Sequence, residues 1–248
     1  MKKILFALVL PLALLLTCLF SGTLFAIVVQ PLNDREIDVV WSTSDGQRME
    51  IYYAHKKEGI WAEPVRVTDD YYENVFPVID RDSTGKRWVF WTAYNNGSME
   101  LHYATGENDD WQESETLADE MKTNISPSVI IDKQDTVWVV WSANSGDLDD
   151  IYFAFNEKNS WSEPATLHAR NSVPDMLPEI GLDGSGHPAV TWKTFKDGKT
   201  ATVTSRLTDH EWTVPQIKEI VQADQESEET LELPSFVNNS SMVFVRVY

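Results

Sequence analysis

A chain of 248 residues with a 42% hydrophobic fraction and ten tryptophans holds enough material for one all-β domain and its core. Its 39 acidic residues against 20 basic ones give a formal charge of −19, which excludes nucleic acid as a partner and offers no attraction to anionic lipid. The single cysteine, Cys18, lies in an N-terminal apolar run, so the rest of the chain has neither a disulfide framework nor thiolate chemistry.

That run follows Met1-Lys2-Lys3 and covers 4–16; weakly polar Thr17, Ser21, Gly22 and Thr23 separate it from a second apolar stretch, 24–29. A short basic start and an apolar segment of about 7–15 residues are what a secretory signal peptide requires. Cleavage near Ala26 is one outcome. Left uncleaved, 4–29 is long enough to span a bilayer, which takes about 20 residues, with Lys2 and Lys3 on the cytoplasmic side. Lipidation at Cys18, after Leu15-Leu16-Thr17, is the third. All three export the remainder, leaving it periplasmic, extracellular or anchored to the outer side of the membrane. The chain thus divides into 1–26, a signal peptide or membrane anchor, and 27–248, a folded domain that meets the membrane only through its N-terminal segment.

The folded part repeats. Trp41, Trp91, Trp141 and Trp192 are 50, 50 and 51 residues apart, and the trailing Trp61, Trp111, Trp161 and Trp212 keep the same spacing. Each full copy starts at a proline (Pro77, Pro127, Pro178) and passes through an aspartate turn (Asp82, Asp132, Asp183) to the core tryptophan. A second strand phrase follows, such as Ile51-Tyr52-Tyr53-Ala54, and then Trp161-Ser162-Glu163-Pro164 or its equivalent. A period of about 40–50 residues made of strands marks a β-propeller of four-stranded blades, because one blade alone cannot bury both faces of its sheet. In chain order the blades are 37–67, 77–117, 127–167 and 178–217. Their first strands are expected over 77–80, 127–131 and 178–182, each beginning at its proline, which has no ladder donor to offer. In the first blade Ile27-Val28-Val29 stands where that strand should be, with membership of the apolar N-terminal segment as the alternative. The acidic stretch 218–232 reads as a loop, and 234–237 and 242–248 read as two closing strands. They either complete the ring by joining the first blade, the arrangement favoured here, or leave a five-bladed ring incomplete.

Over 37–217 the order Pro-x-Ile-x-x-Asp-x-x-Gly-x-x-x-Val-x-Trp, Ile-Tyr-Tyr-Ala and Trp-Ser-x-Pro resembles the repeats of sialidase-like (BNR-type) β-propellers of exported bacterial proteins. The resemblance implies the propeller architecture. It does not extend to the catalytic motifs: there is no Phe/Tyr-Arg-Ile-Pro sequence, and the nearest approach to an Asp-box, Asp82-Ser83-Thr84-Gly85-Lys86-Arg87-Trp88, falls between the wrong strands. The arginines Arg48, Arg66, Arg81, Arg87, Arg170 and Arg206 occupy different repeat positions, so most are expected to stay apart.

No catalytic constellation stands out. The five histidines show no paired ligand spacing, so zinc is unsupported. Loosely bound Ca²⁺ at Gly146-Asp147-Leu148-Asp149-Asp150 is one cation reading, without the spacing of an EF-hand, and a cation site in 218–232 is the other. Otherwise no cofactor or metal is implied. Three residues before each strand-opening proline stand Asn74, Asn124 and Asp175, a ring of polar groups expected at the tunnel mouth. The loops between the second and third strands add Asp45, Tyr94, Asn95, Asn144, Asp147, Phe195 and Asp197 to that face. Aromatic faces with amides and carboxylates suit sugar or peptide recognition. The trailing tryptophans read as inter-blade packing, with a repeated carbohydrate pocket between blades as the alternative. The function this supports is a non-catalytic binding module for a glycan or a protein of the cell envelope. A glycoside hydrolase of sialidase-like architecture with a divergent site is the alternative. An interaction domain pairing through 242–248 is a third reading.

Overall fold

In the computed structural model the chain is described at residues 36–144, 146, 148–196, 199–221, 237 and 242–248. Twenty strands form four antiparallel sheets. The first sheet contains β1 (Ile37–Ser44), β2 (Met49–Lys57), β3 (Ile60–Trp61) and β4 (Val65–Arg66). The second contains β5 (Glu73–Arg81), β6 (Arg87–Asn95), β7 (Ser98–Glu107), β8 (Asp110–Trp111) and β9 (Glu115–Ala118). The third contains β10 (Thr123–Ile131), β11 (Val137–Asn144), β12 (Asp149–Glu157), β13 (Ser160–Trp161) and β14 (Ala165–Thr166). The fourth contains β15 (Asp175–Leu182), β16 (Pro188–Lys196), β17 (Lys199–Thr208), β18 (Glu211–Trp212) and β19 (Gln216–Val221). In each, the last two pieces pair with the same neighbour, so together they are one broken outer strand. In three blades a proline (Pro64, Pro164 or Pro215) stands in the break, where no ladder donor is required. These are propeller blades.

The inner strand of the first blade comes from the other end of the chain. β20 (Met242–Val247) pairs with β1, placing Val245 opposite Val39 and Val243 opposite Trp41. The C-terminal strand therefore joins the first blade, as the sequence favoured, but the ring it was expected to complete is not closed among the described residues. Most of the other closing strand, 234–237, lies outside the described residues; Val237 is buried against Val39, Trp41, Ala54 and Val243. β5 packs on β1, β2 and β20, β10 on β5, β6 and β7, and β15 on β10, β11 and β12. Among the described residues no comparable packing joins the fourth blade to the first, and the four blades make an open arc rather than a closed ring.

One contact explains both the stacking and where it stops. The cross-strand pair Val40–Tyr53 on the first blade receives Trp111 of the second, edge-on to Tyr53 at 5.2 Å. Phe90–Tyr103 receives Trp161, 5.4 Å from Tyr103, and Val140–Phe153 receives Trp212, 5.5 Å from Phe153. Such aromatic pairs add about 0.5–1.5 kcal/mol beyond the area they bury. The corresponding pair on the fourth blade is Thr191–Thr204. Terminal repeats carry a polar outer face because nothing stacks on them.

Each inner strand begins four, four and three residues before its expected proline, at Glu73, Thr123 and Asp175, and the proline sits inside the strand. Register slips there, between Val75 and Val78, Ile125 and Ser128, and Met176 and Glu179. The extra residue is left-handed in all three: Phe76 (φ 55°), Ser126 (54°) and Leu177 (54°). A side-chain-bearing residue held in this region costs about 1–3 kcal/mol. The bulge turns its N–H out of the ladder: Leu177 N donates to Ser142 Oγ of the preceding blade at 3.1 Å, and Phe76 N to Met242 Sδ at 3.3 Å.

If β20 completes the first blade, truncating a side chain it buries is costly although it lies near the chain end. Phe244, 5% exposed, packs in the largest core cluster. Phe244→Ala is expected to lower stability by about 3–5 kcal/mol in urea denaturation, whereas Ile217→Ala, at a 66% exposed site, changes it by less than about 0.5 kcal/mol.

Candidate functional site between the third and fourth blades

The polar residues ahead of the prolines turn inwards. Asn74, Asn124 and Asp175 are 0%, 0% and 1% exposed. Each accepts the indole N–H of its own blade's core tryptophan: Trp91 to Asn74 at 2.7 Å, Trp141 to Asn124 at 2.9 Å and Trp192 to Asp175 at 2.9 Å. Asn74 donates to Asp70, and Asn124 to the carbonyl of Met99. The ring expected at the tunnel mouth is thus closed to solvent, because a buried indole N–H needs an acceptor and these side chains supply it. Asp45 accepts the backbone N–H groups of Gln47 and Arg48, Asn144 accepts that of Gly146, and Asn95 donates to Glu100. They shape turns. Tyr94 and Phe195, at equivalent upper ends of β6 and β16, are 44% and 40% exposed. Asp147 and Asp197 lie outside the described residues; of the other carboxylates in the calcium reading, Asp149 opens β12 and Asp150 faces Arg170 at 3.4 Å. Among the described residues no group of three or more metal-ligating side chains converges.

The arginines depart from expectation at one place. Arg81 and Arg87 are register partners across β5 and β6 and line one cleft of about 420 Å³ with Glu36, Asp38 and Lys56. Arg87 pairs with Asp38 at 3.1 Å, and Arg81 pairs with Glu36. Opposite ends of two antiparallel strands meet across a short turn, which linear repeat positions conceal.

A second repeated carboxylate, which the sequence does not single out as a set, occupies the upper ends of β2, β7 and β12: Glu50, Glu100 and Asp150, spaced by the repeat itself. Burial pushes Glu50 up, against its hydrogen bond from Thr68 and the charge of Arg66. Burial also raises Glu100, but hydrogen bonds from His102 and Asn95 outweigh it and hold Glu100 below the usual range. Asp150 is raised by burial against Arg170, 3.4 Å away, and the nearby His168.

His168 is where the third blade differs from the first two. At the equivalent positions stand Thr68 and Ala118. Its ring stacks on Trp192 of the fourth blade, 5.2 Å between centroids and 9° from parallel. Nδ1 lies 2.8 Å from the carbonyl of Ala169, and Nε2 lies 3.2 Å from Asp175 Oδ2. Both neighbours are acceptors, so the imidazolium satisfies the arrangement. The Asp175 carboxylate is the chief reason His168 is raised, against burial. Burial raises Asp175 in turn, but His168, Thr194, Asn171 and Trp192 together hold it below the usual range.

This pair forms the end of a cleft of about 480 Å³ between the third and fourth blades. Trp192, Val203 and Trp212 wall it, and Val214 and Ile217 stand at its rim 80% and 66% exposed. An analogous cleft of about 640 Å³ lies beside Trp111 between the first two blades, rimmed by Asp69, Asp110 and Glu113. The sequence signal for the His168 site was indirect. It was the one repeat with aspartate in place of asparagine ahead of the proline, preceded by the one histidine at its position.

No family model matches the sequence, and no curated protein matches it. Solved structures do share its fold. A protein of unknown function from Dyadobacter fermentans aligns with TM-score 0.60 at 10% identity, over 73% of this chain and 65% of that one. A PL25 ulvan lyase bound to -[GlcA(1-4)Rha3S]- aligns at 0.52 and 12% identity, over 72% and 51%. This chain therefore spans less than two thirds of either. An endo-arabinase from Bacteroides thetaiotaomicron aligns at 0.51 and 16% identity, over 82% and 83%. At these identities the likeness is one of fold.

The His168–Asp175 pair has a pH signature. His168 sits above its reference value of 6.5, so its contribution is complete below about pH 6.5 and fades as pH rises through the folded value. Asp175 sits below its reference of 3.8, so its contribution is complete above about pH 4 and fades as pH falls through the folded value. Denaturation of His168→Gln against the parent chain should show the widest stability gap at about pH 5–6, narrowing towards pH 9. A gap independent of pH would mean that His168 is held neutral.

Proposed function

We propose that the domain is an exported, non-catalytic module that binds a glycan at the cell envelope through the cleft between its third and fourth blades. The observation that carries this is the cleft itself: two tryptophans and exposed aliphatic side chains beside a small polar end, on a rigid sheet frame. Indole faces stack on the C–H faces of sugar rings, and a few fixed polar groups orient the ligand. The likeness of the repeats to sialidase-like propellers, and of the fold to a polysaccharide lyase and an endo-arabinase, supports the same class of ligand. Export rests on the apolar N-terminal segment, outside the described residues.

One observation favours the hydrolase reading as the second. Asp150 is pushed up and Asp175 held down, both within the field of His168. Carboxylates separated in this way are what an acid and its partner need. Against it, Asp175 occupies the place that Asn74 and Asn124 fill in the sister blades, with the same indole bond.

A glycan array probed with the full chain tests the proposal. Saturable binding to one sugar class is expected, weakened about tenfold or more by Trp212→Ala and also by Ile217→Gln, a rim change that leaves the fold intact. Tyr94→Ala and Phe195→Ala should leave it unchanged. Silence across the array from folded protein overturns the glycan reading in favour of a protein partner. Turnover of a fluorogenic glycoside that disappears in Asp150→Asn establishes the hydrolase instead.

A further inference from the structure

The polar atoms around the cleft are nearly all withdrawn from a ligand. The Trp192 indole N–H is bound to Asp175 Oδ1, and the Trp212 indole nitrogen is shielded from solvent. Asp175 Oδ2 takes Asn171 Nδ2 at 2.7 Å and faces His168, whose other nitrogen is bound to the carbonyl of Ala169. The Asn171 oxygen accepts the backbone N–H of Val173 at 2.7 Å. The Thr194 hydroxyl is shielded, and the Thr213 hydroxyl accepts the backbone N–H of Arg206 at 3.0 Å and has Ser205 Oγ, whose own hydrogen goes to the Thr213 carbonyl, as acceptor 3.4 Å away. Of the side-chain donors, the second amide hydrogen of Asn171 is left over.

What the side chains of the cleft present is therefore mostly carbon: the indole faces, and Val214 and Ile217 at its rim. A hydroxyl group carried into such a place loses its water and finds no replacement. A methyl group gains there by leaving water. Resting on the glycan-binding reading, we infer that the sugar taken by this cleft is a 6-deoxyhexose, its ring on Trp212 and its C6 methyl among the rim aliphatics. The one remaining amide hydrogen of Asn171 is the donor for a ring hydroxyl. A hexose of the same configuration differs only by an oxygen at C6, and that oxygen is what the cleft rejects.

Matched pairs test this on the full chain. Methyl glycosides of galactose and 6-deoxygalactose, and of mannose and 6-deoxymannose, in both enantiomeric series, are titrated against tryptophan fluorescence with saturation-transfer NMR to identify the protons in contact. In at least one pair the deoxy sugar should bind about tenfold or more tighter than its hydroxylated partner, with transfer strongest at the C6 methyl. Ile217→Gln should bring that ratio close to one at unchanged thermal midpoint. Equal affinity within every pair that binds overturns the deoxy preference and leaves glycan binding standing. No binding by any member of any pair, with the protein folded, removes the glycan reading and this inference together.

Discussion

The core tryptophans of three successive blades bury their indole N–H against a side-chain acceptor, and much of this molecule follows from that bond. Trp91, Trp141 and Trp192 are each 2% exposed or less, and each is served by a side chain 17 residues upstream on the adjoining inner strand. An unsatisfied donor at such a depth costs about 1–3 kcal/mol. The bond ties inner strand to second strand at the upper end of each blade, just ahead of the bulge that displaces the register. Inner strand, bulge and proline are thereby held in one geometry from blade to blade.

The same requirement creates the site. In the second and third blades the acceptor is a neutral amide and nothing further is needed. In the fourth it is a carboxylate, and a carboxylate 1% exposed has to be balanced. His168, Asn171 and Trp192 converge on Asp175 for that reason, and His168 reaches it from the neighbouring blade. The electrostatic demand of one substitution thus draws a side chain across the inter-blade boundary and forms the polar end of the cleft. Apolar surface is left over beside it because the break in the outer strand of the fourth blade carries Val214 and Pro215, and Ile217 follows at the start of β19.

Blade stacking uses a separate contact, the trailing tryptophan on the aromatic or aliphatic pair of the blade before. Its absence from the last blade has a composition one can name: Thr191 and Thr204 stand where Phe90 and Tyr103 stood. A pair of threonines offers a further blade less apolar surface than Phe90 and Tyr103 do. At the other end β20 supplies the first blade with an inner strand, and the edge of β1 is paired rather than left as a template for aggregation.

The sequence by itself determined the repeat and its strand content, because the tryptophan spacing reflects packing that recurs in every copy and needs no knowledge of neighbours. It also determined the aspartate turns, whose hydrogen bonds run within five residues. The fate of Asn74, Asn124 and Asp175 was decided by tertiary structure alone. A polar residue ahead of a proline reads as a turn or a loop, and only the bulge, which carries the strand four or three residues further back, brings it inward against an indole. The pairing of His168 with Asp175, the meeting of Arg81 with Arg87 and the cleft beside Trp212 were likewise decided there. Each joins residues through the rotation between strands or between blades, and linear spacing carries no measure of that rotation.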